Sequence, residues 1–141
     1  MAQLTLRQKQ LEETHQRQVP LVVKLSPDET PETLKRMASV LLQYKVAGII
    51  ATNTTASREG VVGLKYAEEQ GGLSGAPLRS RALACLTLLK QEVGDAMTLI
   101  GSGGIDSQEA IQERLHAGAD LVQVYTGLIY HGPFYLEFSH V

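Results

Sequence analysis

Cysteine is nearly absent from this sequence, and blocks of positive charge and long apolar runs are missing. The single cysteine, Cys85, has no partner for an internal disulfide and fits a reducing compartment. We expect it to be a small core residue. The net charge is −2 without clustered Lys and Arg, so a nucleic-acid-binding surface is not expected. No apolar run has the length of a membrane span, and the first residues are too polar for a signal peptide.

Metal and hydrolase chemistry are also disfavoured. Residues 72–76 are similar to a nucleophile elbow, but Ala76 stands where that motif needs its last glycine. Asn53 begins a glycosylation sequon, yet nothing else in the sequence suggests secretion. The histidines show no metal-ligand spacing and are interpreted as surface or rim residues: His15, His116, His131 and His140. The sequence therefore predicts no metal site.

What the sequence does contain is a regular alternation of strand and helix patterns. Hydrophobic residues make up 43% and charged residues 20%, which is typical of a globular protein, and 141 residues suit one domain. Four short runs rich in Val, Ile and Leu resemble strands buried on both faces: Leu21–Leu25, Gly48–Thr52, Thr98–Gly101 and Leu121–Tyr125.

Helical patterns lie between these runs. Thr30 can cap a helix that has Pro31 at its first position, and apolar residues then recur at helical spacing: Leu34, Met37, Ala38 and Leu41. A second helix begins at about Leu78, with one face formed by Ala82, Leu83, Leu86 and Leu89. A third opens with the capping-box spacing of Asp106 and Glu109 and stops at Gly118. The first 17 residues and Gly132–Val141 are also expected to be helical. Such alternation predicts parallel strands whose helices cover both faces of a sheet or ring a closed barrel.

The segment from Thr54 to Pro77 interrupts the alternation with a long, glycine-rich excursion. Long loops in compact domains are usually functional. Because this loop follows a strand, it should lie at the carboxyl ends of the strands, where α/β proteins bind ligands.

Two glycine-containing turns predict a phosphate site. Gly101–Gly104 follows the third strand, where absent side chains would let an anion approach backbone amides near a helix N-terminus. Asp106 stands where a Rossmann fingerprint would need its third glycine, so a dinucleotide site is disfavoured. An ordinary glycine turn remains the alternative. Tyr125, Thr126 and Gly127 follow the next strand, and two successive strand ends of this kind are typical of strands seven and eight of (β/α)8 barrels.

Polar residues at the other strands complete the candidate site. Lys24 interrupts an apolar strand, and an unpaired buried ammonium is costly, so it should point into a polar pocket or extend to the rim. Thr52, Asn53 and Thr54 end the second strand with compact hydrogen-bonding side chains. Asn offers a donor and an acceptor, which suits a planar amide or imide ligand, although a local Asx turn would use the same residue.

The runs VVKLSPD, IATNTT, GGLSGAPL, LIGSGGI and LVQVYTGLIYHGP resemble dihydroorotate dehydrogenase of the membrane-associated, quinone-linked class. The resemblance extends from about Val22 to Pro133, and IATNTT with Arg58 soon after it is specific to that class. It implies an α/β fold, namely the C-terminal half of a (β/α)8 TIM barrel with about strands five to eight, and residues 1–141 as half of one FMN-binding domain.

The resemblance also implies an activity and site roles. The parent enzyme would oxidise dihydroorotate to orotate in pyrimidine biosynthesis, with FMN as cofactor and a quinone as electron acceptor. It would be cytoplasmic and peripheral on the inner membrane. Contacts to FMN would come from Lys24, Thr52, Gly75, Gly104, Tyr125 and Thr126. Contacts to orotate would come from Asn53 and Thr54.

No catalytic residue is assigned to this chain. The family's base is a serine in the first half of the barrel. The helices that contact the membrane also lie in that missing half. Neither Ser26 nor Ser74 stands in the base's motif. We therefore expect a chain inactive by itself. The alternatives are a non-catalytic phosphate- or flavin-binding half-barrel that self-associates, and another FMN barrel with a different substrate.

Overall fold

The computed structural model describes residues 1–132. The expected helix over Gly132–Val141 lies outside this range beyond its first residue, and so does His140. The helices are α1 (Ala2–His15), α2 (Pro31–Gln43), α3 (Arg79–Val93), α4 (Gln108–His116) and α5 (Thr126–His131). The strands are β1 (Val22–Leu25), β2 (Gly48–Ala51), β3 (Thr98–Ser102) and β4 (Leu121–Gln123), and a short 3-10 helix covers Ala76–Leu78.

The four strands form one parallel sheet in the order β1-β2-β3-β4. Each strand pairs with its neighbour in the sequence, and helices α2, α3 and α4 make the connections between them. The order is that of half a (β/α)8 barrel, in which successive strands lie side by side. The predicted fold class is therefore confirmed.

The hydrophobic core lies between the sheet and the helices α2 and α3. Ile49 and Leu99 from the central strands are fully buried there, together with Ala38, Leu86 and Leu89 from the helices. Cys85 belongs to the same cluster, as expected of a small core residue, and its burial raises the pKa of the thiol. Side chains on the other face of the sheet are less covered: Leu121 of β4 is 57% exposed.

The start of α2 follows its prediction, whereas the start of α4 differs. The hydroxyl of Thr30 accepts a hydrogen bond from the amide of Thr33, at 3.2 Å. At α4 the N-cap is Ser107, whose hydroxyl accepts from the amide of Ala110 at 3.2 Å, so the prediction of Asp106 as first capping residue was wrong by one position. The carboxylate of Asp106 lies instead 3.9 Å from the guanidinium of Arg79.

Helix α1 stands apart from the core. It has no buried residue. A groove lies between α1 and residues 17–21, and the apolar side chains that line this groove include Leu4, Leu11 and Val19. No helix within residues 1–132 has the length and apolar character needed to cross a membrane.

Candidate functional site

All eight residues predicted to bind cofactor or substrate line one cavity of about 360 Å³ at the carboxyl ends of the strands. This volume lies within the range of small-molecule sites. The strands and the long loop bring these residues together: Lys24, Thr52, Asn53, Thr54, Gly75, Gly104, Tyr125 and Thr126. The structure therefore brings all eight residues together, while their roles in binding stay predictions.

The cavity also has lining residues that the sequence analysis missed. Ser102 and Gln123 lie at the ends of β3 and β4, and Ser74 lies in the long loop. Gln123 carried a usable signal, because it is a polar residue in an otherwise apolar strand, as Lys24 is. Ser74 was considered only as a nucleophile, whereas in the structure its hydroxyl lies 2.8 Å from the hydroxyl of Thr126.

The end of β2 is held by backbone hydrogen bonds to both neighbouring strands. The amide of Thr52 donates to the carbonyl of Ser102 at 2.8 Å, and the amide of Asn53 donates to the carbonyl of Leu25 at 2.7 Å. The side-chain oxygen of Asn53 accepts from the amide of Thr54 at 2.9 Å, so the local turn considered from the sequence does form. The side-chain nitrogen of Asn53 has no protein partner within residues 1–132, which leaves it available to a ligand.

The glycine turn after β3 adopts a conformation that requires glycine. Gly103 and Gly104 have φ angles of +103° and +66°, and both line the cavity. A Cβ atom on Gly104 would lie 2.4 Å from the Cα of Arg79, so the turn packs directly on the first residue of α3. Neither glycine donates a backbone hydrogen bond to another described backbone carbonyl. Amides of this kind can bind an anion.

The long loop between β2 and α3 folds back across the cavity. Thr55 and Leu73 form an isolated antiparallel bridge, with amide-to-carbonyl distances of 3.0 and 2.8 Å. Gly72 makes this return possible, because a Cβ atom there would lie 1.8 Å from the hydroxyl of Thr54. The return places Ser74 and Gly75 opposite Thr126.

Arg58 organises the distal part of the same loop. Its guanidinium donates to the backbone carbonyls of Ala56, Ala67, Glu69 and Gly71 at 2.7 to 3.3 Å. One planar group with several donors can hold several carbonyls at once, which an ammonium does less well. Arg58 therefore connects the two ends of the loop, a role that its position in the sequence did not reveal.

Asp28 anchors the start of the loop to the turn after β1. Its carboxylate accepts hydrogen bonds from the hydroxyl of Thr55, the amide of Ala56 and the guanidinium of Arg81. Burial by itself would raise the pKa of Asp28, but these hydrogen bonds outweigh it and hold the pKa below its ordinary value. The anchor thus depends on the ionised carboxylate.

The groove beside α1 is larger than the strand-end cavity, at about 780 Å³. It lies at the amino-terminal edge of the sheet beside Pro20 and Leu21, away from the polar strand ends. Ligands of α/β barrels bind at the opposite edge, so the smaller cavity is the candidate site. Within residues 1–132, no group of three or more metal-ligating side chains lies close together.

The fold and the cavity define a class, that of parallel α/β-barrel proteins with a ligand site at the carboxyl ends of the strands. The sequence model of the family "Dihydroorotate dehydrogenase" matches residues 2–138. The chain therefore belongs to the dihydroorotate dehydrogenase family.

Curated relatives named dihydroorotate dehydrogenase (quinone) are similar over most of this chain. The protein of Legionella pneumophila (strain Lens) is 59% identical over 133 residues, which cover 94% of this chain and 40% of the relative. The proteins of Janthinobacterium sp. (strain Marseille) and Vibrio vulnificus (strain YJ016) are 51% and 48% identical over the same share of this chain. The chain thus spans about two-fifths of the length of these relatives.

Solved structures show the same likeness. The crystal structure of DHODH from Eimeria tenella in complex with ferulenol has a TM-score of 0.78 and 37% identity. The match covers 82% of this chain and 31% of that one. The predicted family resemblance is therefore confirmed both in sequence and in three dimensions.

Proposed function

We propose that this chain supplies the FMN-binding half, and part of the orotate site, of a dihydroorotate dehydrogenase that passes electrons to a quinone. Residues 1–141 then form the C-terminal half of one FMN-binding barrel domain. The observation that carries the proposal is the convergence of all eight predicted contact residues on one cavity. The names of the relatives support the same activity and the same electron acceptor.

Residues at both ends of the cavity support the proposal of FMN. The glycine turn offers amides that donate to no described backbone carbonyl. Thr126, whose hydroxyl lies 2.8 Å from that of Ser74, adds a hydroxyl to the same cavity, and together these groups suit a phosphate. Lys24 and Thr52 lie at the ends of the first two strands, where they would contact the ring. When bound, FMN would supply the hydride-accepting chemistry, which no side chain provides.

Asn53 and Thr54 are proposed to bind the substrate. The free side-chain nitrogen of Asn53 can donate to a ring carbonyl of orotate or dihydroorotate, and Thr54 is held against Gly72 of the returning loop. The loop would thereby position the substrate over the flavin and limit its access to water.

The test is FMN binding, followed by a turnover assay. We expect the purified chain to quench flavin fluorescence on titration with FMN and to form no orotate from dihydroorotate with added FMN and quinone. A missing general base alone costs typically 10²–10⁴-fold in rate, and no residue described in this chain is assigned that role. A chain that fails to bind FMN would contradict the proposal, and measurable turnover would contradict the assignment of the base outside this chain.

A self-associating flavin-binding half-barrel is the second candidate. The described sheet has two edge strands, because β1 pairs only with β2 and β4 only with β3. Unpaired edges recruit other strands, and a second copy could cover them. Membrane contact of a complete enzyme, peripheral and from the cytoplasmic side, would be made by segments other than those described.

A further inference from the structure

Arg114 is the largest fully buried side chain of the described chain, with no exposed surface. It lies on α4, which follows the glycine turn of the cavity. A charged group taken out of water is costly unless it is paired and hydrogen-bonded. Burial accordingly lowers the pKa of Arg114 from its ordinary value.

The guanidinium lies directly beneath the glycine turn. Its Nη2 donates to the carbonyl oxygens of Gly103 and Arg79, each at 2.8 Å. The aliphatic part of the side chain occupies the space where Gly101 has no side chain, since a Cβ atom there would lie 3.0 to 3.3 Å from it. Nε and Nη1 of Arg114 are buried and have no hydrogen-bond partner within residues 1–132.

No carboxylate described in this chain contacts this charge, and Glu113 acts on it only through space. Within residues 1–132, no carboxylate oxygen lies within 4.0 Å of the guanidinium of Arg114, although Glu113 is its neighbour in sequence. Glu113 pairs instead with Arg79, at 2.8 Å, and Asp106 also faces Arg79. A buried cation without a contacting anion is thus left on the protein side of the turn.

The hydrogen bond to Gly103 orients the turn. The peptide bond between Gly103 and Gly104 is trans, and in a planar trans peptide the carbonyl and the following N–H point in opposite directions. Because the Gly103 carbonyl points to the buried Arg114, the N–H of Gly104 points away from it. Gly104 lines the cavity and Arg114 does not.

We propose that Arg114 is a positioning residue for the anionic group of the ligand, acting through the Gly103–Gly104 peptide and through its charge, which no described carboxylate contacts. It turns the Gly104 amide toward the cavity, and a phosphate dianion bound beyond the turn adds negative charge near Arg114. This role rests on the proposed FMN site. Selectivity for the phosphorylated flavin then depends on a residue that does not touch the ligand.

The test compares the affinities of the purified chain for FMN and for riboflavin, which lacks the phosphate, by fluorescence titration at fixed low salt. The parent should prefer FMN. Arg114→Met keeps much of the buried volume and removes the charge, and it should reduce the FMN-to-riboflavin affinity ratio about tenfold or more. Affinity for riboflavin should change little. Arg36→Met is the matched control, because Arg36 is exposed on α2. The FMN-to-riboflavin affinity ratio of Arg36→Met should equal that of the parent.

Arg114→Lys provides the second variant, in case Arg114→Met fails to fold. It keeps the charge without the planar fork, so it should preserve most of the preference for FMN. A parental ratio in folded Arg114→Met, or a lost preference in folded Arg114→Lys, would overturn the inference and leave the FMN site standing. If the parent binds neither flavin, the proposed function fails and the inference fails with it.

Discussion

The ammonium nitrogen of Lys24 lies 2.9 Å from the side-chain oxygen of Gln123, although their strands, β1 and β4, are the two edges of the sheet. In a flat sheet these strands would be about 14 Å apart, at the usual spacing between neighbours. Because side chains stand roughly perpendicular to a sheet, the contact indicates that the sheet curves, as half a barrel does. It also places the amine over the cavity, between the two edges.

This contact makes Lys24 the first residue to test. We expect Lys24→Ala to weaken FMN binding and to lower the midpoint potential of the bound flavin, because a fixed cation near the ring stabilises added negative charge. In a complete enzyme with this sequence, flavin reduction by dihydroorotate should slow about a hundredfold, since a preorganised donor is worth roughly 3 kcal/mol. Potentiometry and stopped-flow flavin bleaching are the measurements.

Lys24→Arg should restore the function of Lys24 only in part, since a planar guanidinium differs in shape from an ammonium. Lys65→Ala is a matched control, because Lys65 stacks on Tyr66 in the long loop, and its removal should leave the potential unchanged. A parental potential in FMN-loaded Lys24→Ala would make Lys24 a structural rim residue.

Gly104→Ala should abolish most FMN binding. The added methyl group would meet the backbone of Arg79 at 2.4 Å and force the turn out of its left-handed conformation. The control is Gly94→Ala: Gly94 also has a positive φ, +55°, but a Cβ there meets nothing within 4 Å. It should cost roughly 1–3 kcal/mol in stability and leave FMN affinity intact. Fluorescence titration with FMN distinguishes the two variants. Equal FMN affinities of Gly104→Ala and Gly94→Ala would mean that the phosphate site lies elsewhere.

The Asp28 anchor predicts a pH-dependent stability. The pKa of Asp28 is lowered in the folded protein, so its contribution is complete above the ordinary value of 3.8 and is lost as the pH falls through the folded value. Asp28→Asn should reduce the free energy of unfolding at pH 7 by about 1 kcal/mol, a modest figure because the carboxylate is partly exposed.

Chemical denaturation of parent and Asp28→Asn between pH 3 and 7 checks this. The difference in unfolding free energy should be constant near neutrality and should shrink below about pH 4, as Asp28 becomes protonated in the parent. Asp95→Asn serves as a control, because Asp95 pairs with Lys90 on the far surface and does not contact the loop. A difference between parent and Asp28→Asn that grows with acidification would contradict the anchor.

The open sheet edges predict self-association. Light scattering on the purified chain should show dimers or larger species, because β1 and β4 each lack one neighbour among the described strands. Leu121→Lys, at the exposed start of β4, should shift the distribution toward monomer. Val62→Lys, at an apolar side chain of the loop that is even more exposed, should not shift the distribution. A parent that is monomeric with a sharp cooperative melt would contradict the need for a partner at these edges.

The sequence by itself determined the order of the elements and which residues stand at the strand ends. Both follow from local chemistry: apolar runs form buried strands, Thr30 and Pro31 start a helix, and Gly103 and Gly104 permit a sharp turn. Once the strands are parallel, their ends converge on one edge of the sheet, so the candidate site could be predicted without coordinates.

Only the tertiary structure decided what holds that site in place. Arg114 was indistinguishable from a surface residue of an amphipathic helix, because its burial depends on Gly101 and on the backbone of Arg79, residues distant in the chain. Arg58 gains its four carbonyl partners only when the loop folds back. Burial and pairing of charge are properties of neighbours brought together in space, and one-dimensional periodicity carries no information about them.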